Sequence, residues 1–435
     1  MKYVIIGNSA AGIGAVEGIR QIDKQGDITI ITNESHHTYS RPLISYLLLG
    51  KVTEKGMNYR GDSFYTDNNC TLLANAAVTE IDAAAKKVII SNGSVMPYDK
   101  LLVATGSSPF IPAFEGLDTV QKKFTFMSLD DARKLDVSLG HNKRVLIVGA
   151  GLIGLKCAEG IHQRVKQITV LDMAPRILSS ILDDDGARLV QNHLESKGVK
   201  FRLSANIKRF EHDIAVLEPA AGQADVSAAS SMPGSPPGGG EIINFDILVL
   251  AVGVRPNTAL LNGIAKIERG IIVNDKSETT ARDIYAAGDC TQTLDVSSGQ
   301  SKIMALLPNA YMQGECAGIN MAGGGDSGGD GAHFVKAIPM NAIGFFGLHM
   351  ITAGNYSGDM YTETGNGNYK RLFYNDNKLN GYILIGNVEK AGIYTSLIRE
   401  RTPLDAIDFA LVCEKPGLMA FTKEARMVKL GGVAS

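Results

Sequence analysis

Cysteine is scarce in this sequence, and the few cysteines are isolated from one another. The five, Cys70, Cys157, Cys290, Cys316 and Cys413, form no C-x-x-C pair and have no histidines at a zinc-ligand spacing. This pattern argues against a structural zinc site or an iron–sulfur cluster held by the chain itself. We expect reduced and mostly buried thiols, and no redox centre besides a bound cofactor.

Long apolar runs and an excess of one charge are also missing. No stretch approaches the roughly 20 apolar residues that span a bilayer, and Met1-Lys2 leads into a strand pattern without a signal peptide, so a cytoplasmic location is expected. The net charge is -2, which gives no basic footprint for nucleic acid or an acidic membrane surface. A length of 435 residues predicts two or three domains.

What the sequence does contain begins with a strand and a glycine-rich turn. Residues 3–6 are apolar and stop at Gly7, after which a helical pattern runs from Gly12 to Ile22. Small residues in such a turn let the backbone approach a pyrophosphate at a helix N-terminus. The candidate phosphate-binding residues are Gly7, Ser9, Ala10, Ala11 and Gly12. One such motif is also compatible with a tight turn that binds nothing.

A second strand is predicted at residues 28–32, and Glu34 follows it. That distance from the glycine turn is typical of an acid that accepts a hydrogen bond from a ribose hydroxyl. The alternative for Glu34 is a solvated loop position.

The second glycine motif is complete. Strand 144–148 leads into Gly149-Ala150-Gly151-Leu152-Ile153-Gly154, a helical pattern covers 155–164, and strand 168–171 ends at Asp172. Strand, turn, helix, strand and terminal acid in this order predict a dinucleotide site. Because Asp172 would repel a 2′-phosphate, NAD(H) is favoured over NADP(H), a preference that Arg176 could soften.

The remainder of the chain alternates between strands and low-complexity segments. Residues 220–240 are rich in Gly, Ser, Pro and Ala and predict a flexible loop, and residues 323–331 resemble a linker. Asp289 follows a buried strand that starts at residue 284. Beyond His333 the pattern predicts an antiparallel hairpin, with strands 370–374 and 381–385, and helices at 391–400 and 403–412.

Taken together, the motifs GNSAAG, YSRP, YDKLLVATGSSP, GAGLIGLKCAE, AVGVRPN and IYAAGDC resemble those of the FAD-dependent pyridine nucleotide oxidoreductases. The similarity is greatest to the branch with NADH:rubredoxin reductases, ferredoxin reductases and the flavin module of nitrite reductase. It implies an α/β fold with two Rossmann-like domains, the NAD domain inserted in the FAD domain, and a C-terminal α+β domain. The implied boundaries are 1–112 and 248–322 for FAD, 113–247 for NAD, and 333–435 for the C-terminal domain.

The resemblance also implies roles for individual residues. The FAD residues would be Gly7, Ser9, Ala10, Ala11, Gly12, Glu34, Arg41, Pro42, Val78, Ala104, Thr105, Gly106, Gly288 and Asp289. The NAD residues would be Gly149, Gly151, Ile153, Gly154, Asp172 and Gly253. Arg41 and Lys156 are the candidate catalytic residues, since a positive side chain can stabilise an anionic reduced flavin.

Two departures from the family pattern affect the expected chemistry. Disulfide- and peroxide-reducing members need a cysteine soon after the position of Pro42, and residues 43–47 contain none. Lys156 stands where many relatives have glutamate, so it either takes part in nicotinamide positioning or extends its ammonium group into solvent.

Three functions remain open at this point. The first is an FAD-dependent NADH:acceptor oxidoreductase whose partner is an iron–sulfur protein or a larger redox complex, with flow in either direction. The second is an NADH oxidase or a peroxide- or disulfide-directed reductase, and the third is a non-catalytic flavoprotein that responds to NADH. The sequence also leaves a homo-oligomer open.

Overall fold

The N-terminal part of the chain forms a parallel sheet. The structure, a computed structural model, describes residues 1–218, 241–324, 330–335 and 337–430. Its first elements are β1 (Lys2–Ile6), α1 (Ala10–Ile22), β2 (Asp27–Ile31), α2 (Ile44–Leu48), α3 (Phe64–Asp67), β3 (Cys70–Leu73), β4 (Val78–Asp82), β5 (Lys87–Ile90), β6 (Val95–Pro97), β7 (Lys100–Val103) and β8 (Ser107–Pro109). Strands β7, β1, β2 and β3 pair in parallel in that order, and β4, β5 and β6 form a separate antiparallel sheet. The strands of the parallel sheet are mostly apolar because both of its faces are covered.

A second parallel sheet follows. Its unit contains β9 (Lys123–Phe124), α4 (Leu129–Asp136), β10 (Arg144–Val148), α5 (Leu152–Ile161), β11 (Gln167–Leu171), α6 (Asp184–Ser196), β12 (Val199–Arg202), β13 (Ile207–Glu211), β14 (Ile214–Leu217), β15 (Ile242–Asn244) and β16 (Ile247–Leu250). The strand order is β12-β11-β10-β16-β9, and β13, β14 and β15 form an antiparallel sheet. Strand β16 pairs with β10, so residues 248–250 lie in the second sheet although the predicted boundary falls between residues 247 and 248; the domain boundaries stay predictions. The predicted loop 220–240 lies outside the described residues.

The chain then returns to the first sheet. It adds β17 (Val254–Pro256), β18 (Ile271–Ile272), β19 (Ile284–Ala286), β20 (Thr291–Asp295), β21 (Gln300–Lys302) and α7 (Leu307–Met321). Strand β17 pairs with β8, and β19 pairs with β7 at the edge of the first sheet. The second sheet is therefore an insertion in the first, as predicted. Residues 1–122 and 251–321 are called the first unit here, and residues 123–250 are called the inserted unit.

Helices α1 and α7 pack unusually closely in the first unit. An added Cβ at Gly14 or Gly18 would lie 2.3 Å from a backbone carbonyl oxygen of α7, and one at Gly314 or Gly318 would lie 2.0 or 2.2 Å from one of α1. Glycine at these four positions lets the two backbones touch. This contact fixes the position of α1 against α7. The N-terminus of α1 follows the first glycine turn.

The C-terminal unit consists of an antiparallel sheet and helices. Its elements are β22 (Met340–Phe345), β23 (Leu348–Gly354), β24 (Asp359–Gly365), β25 (Asn368–Asn375), β26 (Lys378–Ile385), α8 (Ala391–Glu400), α9 (Phe409–Glu414) and α10 (Lys423–Lys429). The sheet order is β22-β23-β26-β25-β24, and the predicted hairpin is the β25–β26 pair. The predicted helix 403–412 is wrong, because the chain makes only a short turn at Leu404–Ala406 before Asp408 caps α9 by accepting from the Leu411 N–H at 3.0 Å.

Within the described ranges, no helix combines the length and the apolar character needed to cross a membrane.

Candidate functional site

A cavity of about 1010 Å³ lies where the three units meet. Its walls come from the carboxyl ends of β1 and β7, from helices α2 and α5, and from strands β22 and β23. The predicted site residues that line it are Gly7, Ser9, Ala10, Ala11, Glu34, Arg41, Pro42, Val78, Ala104, Thr105, Gly106, Ile153, Lys156, Gly288 and Asp289. The fold thus brings together residues that are as far as 282 positions apart in the sequence, from Gly7 to Asp289.

The first glycine turn packs so closely against its neighbours that two of its positions leave no space for a side chain. Gly7 has φ +122°, and a Cβ there would lie 2.1 Å from the Ala104 carbonyl oxygen. Gly12 does not line the cavity but is needed for the turn, since its Cβ would lie 2.0 Å from the Gly7 carbonyl oxygen. No side chain of the described residues caps α1 at Ser9, so the first N–H groups of the helix remain available to an anion.

Arg41 and Glu34 form an ion pair on the cavity wall. Arg41 Nη2 donates to Glu34 Oε1 at 2.9 Å, and Arg41 Nη1 donates to the Met127 carbonyl at 3.3 Å. Burial acts to lower the pKa of Arg41. The interactions with Tyr39, Glu34 and Asp289 together outweigh burial, so the pKa lies above its ordinary value. Glu34 is therefore not a solvated loop glutamate, and its predicted ribose contact would be made by a carboxylate already bound to Arg41.

Asp289 presents a partly buried carboxyl group to the cavity. Burial raises its pKa above the ordinary value, while a hydrogen bond from the Ser107 hydroxyl at 3.1 Å and the charge of Arg41 act in the opposite direction. A carboxylate in such a place is stabilised when ligand hydroxyl groups donate to it.

Several polar residues that line the cavity were not singled out from the sequence, among them Asn257 and Tyr46. Asn257 bonds reciprocally with Thr105: the Thr105 hydroxyl donates to the Asn257 carbonyl at 2.7 Å, and Asn257 Nδ2 donates to the Thr105 carbonyl at 2.9 Å. Asn257 ends the motif AVGVRPN, which was the signal available for it. Tyr46 and the strand residues 340–344 also line the cavity, and no motif marked them.

Lys156 faces this cavity and not the solvent. Its ammonium group binds the carboxylate of Glu159, donates to the Gly344 carbonyl at 3.2 Å and lies 4.4 Å from the centre of the Tyr46 ring. The side chain is only 13% exposed. The solvent alternative for Lys156 is therefore wrong.

The second glycine turn lies outside the cavity wall, apart from its Leu152 and Ile153. Gly149 has φ +115° and its Cβ would lie 2.3 Å from the Ala251 carbonyl oxygen, while a Cβ at Gly154 would lie 2.0 Å from the Gly149 carbonyl oxygen. Gly151 is open, with nothing in the described residues within 4 Å of an added Cβ. These positions have the geometry of a nucleotide-binding turn, and their direct contacts with NAD stay a prediction.

Asp172 supports that turn through backbone hydrogen bonds. One carboxylate oxygen accepts from the Ala150 N–H at 2.6 Å, and the other accepts from the Ala174 N–H at 2.8 Å. The sequence indicated a ribose ligand here and gave no sign of this supporting role. Gly253, with φ +117°, lies between β16 and β17, and its proximity to nicotinamide also stays a prediction.

Comparison with known proteins adds family information to this geometry. The pattern described as "Pyridine nucleotide-disulphide oxidoreductase" matches residues 1–314, and "Rubredoxin NAD+ reductase C-terminal domain" matches residues 339–402. A similar curated protein is the "NADH-dependent phenylglyoxylate dehydrogenase subunit epsilon" of Aromatoleum evansii, 31% identical over 93% of this chain and 92% of that protein.

Two further similarities concern a second curated relative and a solved structure. An "NADH oxidase" of Methanocaldococcus jannaschii is 33% identical over 74% of this chain and 70% of its own length. The solved covalent complex of putidaredoxin reductase with putidaredoxin contains a chain with a TM-score of 0.81 and 19% identity, covering 100% of this chain and 99% of that one. At this identity the structural similarity bears on the fold.

Proposed function

The chain belongs to the pyridine nucleotide-disulphide oxidoreductase family, and we propose that it exchanges a hydride between NAD(H) and FAD and single electrons with a separate iron–sulfur protein or a larger redox complex. As a member of this family it is an FAD-dependent NAD(H) oxidoreductase. The observation that carries the proposal is that one continuous cavity extends from the first glycine turn to the α5 face at Ile153 and Lys156.

The residues present suit FAD. The Gly7 turn lines the cavity, and the uncapped N-terminus of α1 offers N–H groups to a pyrophosphate. Asp289 would accept from the ribityl hydroxyl groups, and Pro42, Val78 and Gly106 would line the cofactor. When bound, FAD takes up a hydride and gives up electrons singly, which is the chemistry that an iron–sulfur partner needs.

The protein's own contribution is alignment and charge. Residues of α5 and of β22 would hold the nicotinamide against the flavin, since hydride transfer depends mainly on keeping two rings in contact. Arg41 and Lys156 would each present a cationic group to the cavity, where it favours a reduced, anionic ring, with a carboxylate, Glu34 or Glu159, paired to each. Asp172 would select NAD(H) over NADP(H).

The cysteines support an external acceptor. All five lie within the described ranges, and none is in a disulfide. Burial raises the pKa of Cys70, Cys290, Cys316 and Cys413 to about 11 and also raises that of Cys157. Thiols of this kind are poor nucleophiles at neutral pH, and no cysteine is among the described residues that line the cavity.

The relatives point to two kinds of acceptor. One relative is a subunit of a dehydrogenase, and the solved putidaredoxin reductase is captured with putidaredoxin, which favours a protein partner. The name of the Methanocaldococcus relative favours the second candidate, an NADH oxidase that uses dioxygen. The cytoplasmic location and the oligomeric state stay predictions.

A double-mixing experiment separates these candidates. The protein is reduced with one equivalent of NADH without oxygen and is then mixed with oxidised rubredoxin, with a [2Fe–2S] ferredoxin or with aerated buffer. The proposal expects reoxidation by at least one iron–sulfur protein to be faster than reoxidation by dioxygen. Fast reoxidation by dioxygen alone would favour the oxidase. Failure of all three acceptors, together with sedimentation that changes when NADH is added, would favour a non-catalytic NADH-responsive protein.

A further inference from the structure

The cavity wall contains an ion pair that is largely shielded from water. Lys156 and Glu159 lie three residues apart on α5 and therefore on the same face of the helix. Their side chains are 13% and 7% exposed. A pair in such a place is retained only when further hydrogen bonds satisfy both groups, because desolvation of two charges is costly.

Glu159 has its second partner in the C-terminal unit. The oxygen that does not bind Lys156 accepts from the Phe346 N–H at 2.7 Å, in the tight turn that joins β22 to β23. The Phe346 ring also packs edge-to-face on His162, with centroids 4.6 Å apart. The carboxylate is thus fixed from two units at once.

Lys156 is fixed in the same way but on the cavity side. Besides Glu159 it contacts the Gly344 carbonyl of β22 and the Tyr46 ring of α2. Lys156, Tyr46 and Gly344 all line the cavity, whereas Glu159 does not. The carboxylate therefore lies behind the lysine as seen from the cavity.

We infer that Glu159 is a positioning residue that holds the Lys156 ammonium group at the cavity wall and offsets its charge on the bound flavin. This inference rests on the proposed function, because it concerns the same cofactor. With both residues present, the pair adds a dipole but no net charge. Removing Glu159 exposes the flavin to a cation, and removing Lys156 exposes it to an anion.

The expected effect is large enough to measure. In an effective dielectric of about 20, one uncompensated charge within about 12 Å of a group changes an equilibrium constant by about tenfold or more. The quantity to measure is the flavin midpoint potential, because it responds to the charge and not to a general loosening of the wall.

The test uses three variants of the FAD-loaded protein: Glu159→Gln, Lys156→Met and the double variant. We expect Glu159→Gln to favour flavin reduction about tenfold and Lys156→Met to disfavour it about tenfold. The double variant should return close to the wild type, as a compensating pair requires. Potentials are measured by anaerobic reduction with a reference dye, and affinity for FAD is measured by titrating the apoprotein.

Two controls keep the result interpretable. Glu195→Gln removes a carboxylate from the exposed face of α6 in the same unit and should leave the potential unchanged. Lys156→Arg keeps the charge and should keep the potential within about twofold of the wild type. If Glu159→Gln does not fold, the comparison of Lys156→Met with the double variant, which leaves no unpaired buried charge, isolates the charge of Glu159.

Shifts in the same direction for both single variants, or no shift in either, would overturn the inference. Failure of the proposed function is a different outcome, since the wild-type protein would then not be reduced by NADH at all. Normal reduction of the wild type with unchanged potentials in the variants would refute only the role of Glu159.

Discussion

Replacing Gly314 by alanine is expected to separate helices α1 and α7 and to weaken the cofactor site. An added Cβ would lie 2.0 Å from the Ala11 carbonyl oxygen, whereas ordinary contacts begin at 3.4 Å, so the helices have to part by about 1.4 Å at this crossing. Ala11 belongs to the first turn of α1 and lines the cavity. The separation is therefore transmitted to the N–H groups that are proposed to bind the pyrophosphate.

The size of the effect follows from two opposing terms. Overpacking of a close contact costs about 1–3 kcal/mol, and alanine recovers about 1 kcal/mol relative to glycine in a helix. The difference is about 0–2 kcal/mol, and because the added Cβ meets backbone atoms we expect the upper end, a loss of about 2 kcal/mol, which lowers the melting temperature by about 4–8 °C for a domain of this size.

The assay measures the melting temperature by circular dichroism and the flavin bound per chain after purification. Gly392→Ala is the matched control, because Gly392 is an exposed residue in α8 and an added Cβ meets nothing in the described residues within 4 Å. That control should keep its flavin and be as stable as the wild type or slightly more so. If Gly314→Ala also melts like the wild type and retains its flavin, the proposed dependence of the site on this helix contact is wrong.

Three other substitutions or deletions test separate parts of the account. Asp289→Ala should purify largely without flavin, because a charge-assisted hydrogen bond of about 1.5–3 kcal/mol is lost; normal absorbance of bound flavin would refute the ribityl role. Asp172→Ser should lower the ratio of NADH to NADPH efficiency in steady-state assays, and it should also destabilise the inserted unit because the Ala150 and Ala174 N–H groups lose their acceptor. An unchanged ratio would place cofactor selectivity elsewhere. Deletion of residues 220–240 should leave flavin content and reduction by NADH intact, as the composition predicts, and a loss of either would show that the segment is needed.

The sequence was sufficient where local geometry decides the structure. The two glycine turns could be predicted because a strand, small residues and a helix must follow each other in that order, and Gly7, Gly12, Gly149 and Gly154 each leave no space for a Cβ. The order of the motifs likewise indicated the insertion of one unit in the other.

What the sequence did not reveal depends on contacts between distant segments. The partners of Lys156 come from three different units, so its environment follows from how those units dock. The two N–H groups bound by Asp172 and the pairing of β16 with β10 are tertiary features of the same kind. The helix predicted at 403–412 is wrong for a local reason. A short turn at Leu404–Ala406 ends before Asp408 caps the start of a new helix.

The central claim is that NADH passes a hydride to a flavin bound in this cavity. The most direct measurement is anaerobic stopped-flow mixing of the FAD-loaded protein with NADH and, separately, with NADPH, followed through the absorbance of the flavin. The account predicts complete bleaching by one equivalent of NADH and slower bleaching by NADPH. A flavin that stays oxidised in the presence of both nucleotides would contradict it.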